Sequence, residues 1–531
     1  MKTKIKRGLV LTGVVAGLWL ARADRTSAQN FATLYNFQSA ATNRFGLWTN
    51  QLGATPTGAL LLLGQTLYGA TGHGGSNGTG CIYALNTNGT GFAILHTFAG
   101  LATNQFGFAT NRDGASPVGG LIAAGTNLFG VAWYGGASGQ GAIFSLNTNG
   151  AGFTVLHAFA TGATNSASGL VTNSEGGTPA AGLTLSGTTL YGTTLYAGTN
   201  GNGTVFAVQT NGSGFRTLHA FSTLVASNNA DGANPYAPLL LAGGTLYGTT
   251  QFGGTNGNGT LFSVGTNGAG FSDLHSFARV VDWASGPYAN IFTNGDGANP
   301  RAQLILAGNQ LYGTATFGGL YGNGAVFALA TNGASFTNLH NFSAGNLDYS
   351  TFGITNHDGT WPQPGVIWSG NSLYGVCEYG GLGLGTVFSV DTNGSAFTAL
   401  HDFPAGSTVT ILPNSPNNGG AYPQTQFLLS GGVLYSSSAY GGMFGSGTLF
   451  TVGGIGGAAP PAPPLAVTKS GTNVVIAWPT NFTGYTLQST TNLAPAVWKT
   501  VAPAPVILNG EYVVTNGRAP SPAHVFYRLM Q

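Results

Sequence analysis

A segment of about 60 residues recurs along this chain, and that recurrence limits what the chain can fold into. A Leu-aromatic pair stands at Leu67-Tyr68, Leu128-Phe129, Leu190-Tyr191, Leu246-Tyr247, Leu311-Tyr312, Leu373-Tyr374 and Leu434-Tyr435, the aromatics falling 61, 62, 56, 65, 62 and 61 residues apart. Each pair leads into a Gly-rich turn and a short apolar run, as in Gly203-Thr204-Val205-Phe206. A second motif, F-x-x-L-H-x-F, follows the first six copies, from Phe92–Phe98 to Phe397–Phe403. The seventh copy has none, but Phe31-Ala32-Thr33-Leu34-Tyr35-Asn36-Phe37 supplies the same motif near the front of the chain, with Tyr35 in the place of His. An array ending in an incomplete sheet would expose an edge to foreign pairing, so the N-terminal strand is expected to complete the last sheet and close a ring.

Four short strands are expected per copy, in the third roughly 181–185, 189–194, 204–209 and 215–221. Asn-Gly recurs between the last two, as at Asn211-Gly212, and supplies the positive φ angles of a tight hairpin. Long helices do not fit. Gly accounts for 89 of 531 residues and Asp, Glu, Lys and Arg for only 5%, whereas interior Gly costs a helix about 1 kcal/mol against Ala. The expected fold is all-β, a seven-bladed β-propeller closed by an N-terminal strand and followed by a small β-sandwich-like domain. The expected organisation is a signal peptide at 1–28, the propeller of ~61-residue repeats at 29–452, a Gly/Pro linker at 453–464 and the C-terminal β domain at 465–531.

The net charge of +2 is misleading. Six of the fifteen basic residues lie in the first 25 positions, with one acid, Asp24, which leaves 9 basic against 12 acidic residues. Clustered Lys and Arg are absent from the remainder, so no nucleic-acid partner is expected. The N-terminal charge belongs to a basic segment, Lys2 to Arg7, followed by 13 apolar residues, Gly8 to Leu20, and small residues at Ala21-Arg22-Ala23 and Thr26-Ser27-Ala28. That is the pattern of a secretory signal peptide, and the run is too short to span a bilayer. No transmembrane segment is expected in the mature chain, which is read as a secreted or cell-surface monomer.

The pattern L-Y-G-T-T-x-x-G-G-x-x-G-x-G-T-V-F…F-x-x-L-H-x-F, seen at Leu190 to Phe221 and Leu246 to Phe277, resembles the choice-of-anchor tandem repeat family called GloVer, over about residues 31 to 452. The resemblance implies a bacterial exported or cell-surface protein and no known activity. The ending, with Leu487 to Leu493 and Phe526-Tyr527-Arg528-Leu529, looks like a module that closes many secreted bacterial proteins. The terminal hydrophobic helix and basic tail of anchored members are missing, so membrane anchoring is not expected.

The six repeated histidines, His96, His157, His219, His275, His340 and His401, sit on different copies and cannot converge on a metal; a structural role with bonds to backbone is expected. Phe153, Val155, His157 and Phe159 are expected to share one strand face by the two-residue period. Asp113-Gly114, Glu175-Gly176, Asp231-Gly232, Asp296-Gly297 and Asp358-Gly359 read as turns, one acid per copy, and not as a calcium site. Cys81 and Cys377 are expected to be buried free thiols, and no cofactor or metal is expected. The long segments joining one copy to the next carry aromatics beside amides and hydroxyls, which suits sugar rings. Trp48, Trp283, Tyr288 and Trp361 are the candidate binding residues, although aromatics that pin loops would look the same. No catalytic residue is assigned, because glycosidase chemistry needs two carboxylates about 5 to 10 Å apart, and the few non-repeated acids here are Asp282, Asp348 and Glu378. The sequence thus points to a noncatalytic binding protein that recognises glycans or another surface component. A secreted propeller enzyme acting on polysaccharide is the alternative.

Overall fold

The computed structural model describes residues 30–455, except 44–45, 105–107, 165–168, 283–291, 349–352, 404–415 and 418. It also describes residues 466–530, except 471–472, 480–485, 492–498, 503–504, 509–510 and 518–524. The expected signal peptide, most of the linker, Trp283 and Tyr288 lie outside the described residues. Among the described residues there is no helix, and so none long and apolar enough to cross a membrane.

Each copy forms one antiparallel sheet whose strands pair in chain order. In the third copy these are Thr184–Ser186, Thr189–Thr194, Thr204–Gln209 and Arg216–Ala220, close to the expected spans. The seventh sheet takes its outer strand from the front of the chain. Phe31–Asn36 pairs antiparallel with Thr448–Val452, Phe31 opposite Val452 and Asn36 opposite Thr448. A strand otherwise left with bare N–H and C=O groups is thereby paired.

The hairpin between third and fourth strands differs from the expected one. In the third copy Gly212 N donates to the Gln209 carbonyl at 2.8 Å, and Gln209 N to the Ser213 carbonyl at 2.9 Å. Within the three-residue loop 210–212 Gly212 alone is left-handed, at φ 84°. Asn211 contributes through its side chain, whose Oδ1 accepts from Ser213 N at 3.0 Å. The loop is one residue longer than a two-residue hairpin, so a single glycine suffices.

The fourth strand also departs from strict alternation. Its pairing with the third strand slips between His157 and Val155, which leaves Leu156 as a bulge, and the slip recurs in the first six copies. A bulge reverses the side on which later residues point. Phe153 therefore packs toward the first sheet, whereas His157 and Phe159 pack toward the third. The expectation that these residues share a face fails for that reason.

Seven apolar layers separate the sheets, each drawing residues from two successive copies. One joins the seventh to the first, with Phe37, Tyr435 and Leu449 against Leu60, Leu67, Tyr83 and Leu85. Burying a Phe side chain is worth about 1.5–3 kcal/mol, and the last Phe of the motif is fully buried in every copy, from Phe37 and Phe98 to Phe403. Cys81 and Cys377 are buried and free. Beyond the linker, a four-stranded sheet containing Asn473–Pro479 and a three-stranded sheet containing Thr486–Thr490 contribute to one core around the buried Trp478.

Candidate functional site

The end of the sheets where second strands finish and first strands begin carries two kinds of residue. One kind repeats and ties copies together; the other does not.

The repeating kind includes the histidines. Nε2 of each of five histidines meets the acid of the next interstrand segment: His96 and Asp113 at 3.1 Å, His157 and Glu175 at 3.2 Å, and His219 and Asp231, His275 and Asp296, and His340 and Asp358 at 2.9 Å. The bonds go to carboxylates and not, as expected, to backbone. The same carboxylate accepts from a backbone N–H where the segment begins, Ala99 N to Asp113 at 3.0 Å for example. The acids do more than make turns: each clamps both ends of its segment. Every histidine ring also stacks on the motif's first Phe in the next copy, as His96 on Phe153 (3.7 Å between ring centres) and His219 on Phe271 (3.8 Å). Tyr35 stacks on Phe92 at 4.2 Å and His401 on Phe31 at 3.8 Å, so the series runs through the N-terminal strand.

Among the described residues His401 Nε2 has no carboxylate partner. Gly419 stands where the others have Asp or Glu, in Asn417-Asn418-Gly419-Gly420, and Nε2 is buried without a hydrogen bond. Burial holds its pKa down at about 4, against a smaller upward pull from Asp402.

Sequence reading missed the Asn three residues before each segment's last Gly. Asn229 Oδ1 accepts from Gly232 N (2.9 Å) and Gly254 N (2.8 Å), while its Nδ2 donates to the Ser222 (3.0 Å) and Gly232 (2.7 Å) carbonyls. The signal was present, since Asn50, Asn111, Asn173, Asn229, Asn294, Asn356 and Asn417 occupy one place in N-x-x-G. Gly232, at φ 91°, is needed there because a Cβ would lie 2.1 Å from Thr250 Oγ1.

A second missed feature follows two residues later. In every copy the residue before the first-strand Pro is left-handed, although a following Pro favours extended backbone and such a φ is uncommon outside Gly. These are Thr55, Ser116, Thr178, Asn234, Asn299, Trp361 and Tyr422, with φ from 49° to 59°. The strain is met by a bond between sheets, since each N–H donates to a carbonyl of the preceding copy. Asn234 N reaches Asn202 O at 2.9 Å, and Thr55 N reaches Ser446 O of the seventh copy at 2.9 Å. Small or amide residues fill five of the seven places; Trp361 and Tyr422 are the bulky exceptions, in a conformation costly for large side chains.

Those two exceptions sit in an arc of rings, each in contact with the next. Phe317 meets Trp361 (5.1 Å), Trp361 meets Tyr379 (4.7 Å), Tyr379 meets Tyr422 (4.9 Å), and Tyr422 meets Tyr440 (5.9 Å). Trp48 continues it, 6.2 Å from Tyr440 and 5.5 Å from His73. Two of the candidate residues, Trp48 and Trp361, are thus brought into one arc, both half-buried.

Beside the arc lies a polar cluster. Glu378 is 7% exposed. Its Oε1 accepts from Gln424 Nε2 at 2.5 Å and its Oε2 from Gln363 Nε2. Arg301 lies 5.8 Å from the Tyr236 ring centre and 6.0 Å from that of Phe317. It donates from Nε (3.1 Å) and Nη2 to the Gln251 amide oxygen, once that amide is oriented to face it. Burial raises the Glu378 pKa, against opposing effects of Gln424, Arg301 and Gln363. Burial and the nearby Glu378 charge push Tyr379 up to about 12.

Tyr236, Arg301, Gln363 and Gln424 each follow the first-strand Pro in copies four to seven, where copies one to three have Thr57, Val118 and Ala180. At the place of Glu378 the other copies carry Gly72, Trp133, Leu195, Gln251, Thr316 and Ala439, all uncharged. A buried carboxylate costs several kcal/mol unless well partnered, and the six other copies have none at this place. No group of three or more His, Cys, Asp and Glu that could hold a metal occurs among the described residues.

With this geometry in hand, residues 162–291 match the family model of the Gloeobacter/Verrucomicrobia repeat. The chain carries that repeat. The matched span holds the third and fourth Gloeobacter/Verrucomicrobia copies nearly whole, including the His219 and Asp231 pair and the strained Asn234. No curated protein matches in sequence. Similar solved structures include a puromycin-hydrolyzing peptidase of Mycobacterium tuberculosis, with 11% identity, 81% of this chain and 59% of that one covered, and a TM-score of 0.43. They also include an oligogalacturonate lyase in complex with manganese (11%, 82% and 96%, TM-score 0.41) and TolB from Acinetobacter baumannii (11%, 59% and 58%, TM-score 0.32).

Proposed function

We propose that this is a secreted or cell-surface binding protein, a closed seven-bladed β-propeller that recognises glycans or another surface component at the end carrying the aromatic arc. The ring reading is supported by three series that run through all seven copies and back to the first: the aromatic stacks, the bonds from strained residues, and the apolar layers. One observation carries the binding reading. Departures from the Gloeobacter/Verrucomicrobia repeat gather in copies four to seven at this one end, as buried charge and bulky left-handed residues, both costly to stability. Strain and buried charge concentrated at one place are what a functional site shows. The aromatics offer apolar ring faces, and the amides offer bonds to hydroxyl groups.

Binding without catalysis fits a site built on one carboxylate. Asp358, another acid of the same copy, is committed to His340 and to Ser343 N. The test is an array of neutral and acidic glycans probed with the full chain. Binding to at least one class is expected, weakened by Trp361→Asn, and silence across the array sinks the glycan reading. The elevated pKa of Glu378 favours a second reading, an enzyme acting on polysaccharide with Glu378 as general acid. Release of reducing ends, lost in Glu378→Gln, would establish it.

A further inference from the structure

The cluster around Glu378 specifies its ligand more narrowly, through which of its hydrogen-bonding groups are already used. A carboxylate only accepts, and a Gln side chain has a donating NH2 and an accepting oxygen. Glu378 engages the nitrogen of Gln363 at one oxygen and that of Gln424 at the other, which fixes both amides against flipping. Their Oε1 atoms are then turned away from the carboxylate, and neither accepts a bond within the described structure. Gln424 is exposed and Gln363 half-exposed, so these acceptors are open to a ligand. A ligand that pairs with both must bring two donors. Arg301, anchored through Nε and one Nη2 donor to Gln251, retains donors for an oxygen. The local charge is one carboxylate and one guanidinium, which favours neither a cation nor an anion. Trp361 and Tyr379, both half-buried, put apolar ring surface at this end, backed by the buried Tyr422.

From this we propose that Gln363 and Gln424, oriented by Glu378 and flanked by Arg301, form a subsite for one unit of a neutral saccharide. Its hydroxyls donate to the two amide oxygens and accept from Arg301, and its C–H face lies on the aromatic arc. The inference rests on the reading of this end as a binding surface. Glu378 is a positioning residue: it touches the amides and acts on the ligand through them.

The test measures affinity of the full chain for neutral gluco-, manno-, galacto- and xylo-oligosaccharides by calorimetry, with thermal melts of every variant. Glu378→Gln keeps the shape but lets both amides turn, and a loss of tenfold or more in affinity at an unchanged or higher Tm is expected. Gln363→Ala and Gln424→Ala remove the acceptors without disturbing the arc, and comparable losses are expected. Wild-type affinity in all three variants overturns the subsite while leaving the binding surface in place, and so does a wild-type protein that binds acidic glycans alone. Failure to bind any glycan overturns both readings together.

Discussion

The seam between the third and fourth copies and the seam between the sixth and seventh are set apart by one missing carboxylate beside the stacked histidine. In the former, His219 is held by Asp231 and stacks on Phe271. In the latter, His401 stacks on Phe31 but faces a position where glycine replaces the acid, leaving Nε2 buried and unbonded. Two contributions that five of the seams combine are thereby separated: the ring stack forms without the acid, and where the acid is present its bond to the histidine fastens the segment beyond. Two seams lack the pair, this one and that between the seventh and first copies, where Tyr35 and Leu52 stand in place of His and acid, and both involve the N-terminal strand.

The sharpest way to break the comparison is to remove that strand. Deleting residues 30–37 strips Thr448–Val452 of its outer partner and withdraws Phe31, Tyr35 and Phe37 from the apolar layers. At about 3–5 kcal/mol per buried Phe lost, the Tm is expected to fall by more than about 10 °C; an unchanged melt would rule out closure by this strand. Next in size is the contrast between paired and unpaired histidines. His219→Phe leaves the partly buried Asp231 without its ring partner and is expected to cost about 2 kcal/mol, whereas His401→Phe abandons no acid and should fall within about 0.5 kcal/mol of wild type. Equal costs in denaturant titrations would mean that the carboxylate contributes nothing.

A third prediction concerns pH. The folded pKa of His401 lies at about 4, below its ordinary 6.5, so between those values the unfolded chain takes up a proton that the folded chain refuses. Stability from this group is complete above about pH 6.5 and is lost as the pH falls through the window toward 4, by about 1–2 kcal/mol after allowance for partial solvent screening. Gly419→Asp supplies the missing acid and should flatten that acid-side loss. A steeper loss in the variant would refute the account. The smallest effect is expected at Trp361→Asn, which installs the residue that copies four and five carry at the same strained place. Relief of the left-handed Trp offsets the lost ring contacts, so stability should change by no more than about 1 kcal/mol while glycan binding weakens.

Much of the fold could be read before any coordinates. Strand order, the return of Phe31–Asn36 to the last sheet and the two buried thiols follow from motif spacing, because a repeat repeats its hydrogen bonds and its apolar layers with it. The bulge at Leu156 could not be read: it changes which side Phe153 and His157 face without altering the pattern of apolar residues. The His and acid pairing left a trace that was not used. The motif copy with Tyr35 for His leads to a segment with Leu52 where others carry an acid. The site was less legible still. Glu378 stood out as a non-repeated acid, but Arg301, Gln363 and Gln424 are each a lone polar residue after a Pro, ordinary in its own copy.

Sequence by itself determined the repeated antiparallel sheets and the order of their strands, since those rest on local strand patterns multiplied by repetition. Only the tertiary structure decided that single polar departures in four successive copies surround one carboxylate. Residues about 60 positions apart become neighbours when sheets pack side by side, and no local pattern records which neighbours they will find.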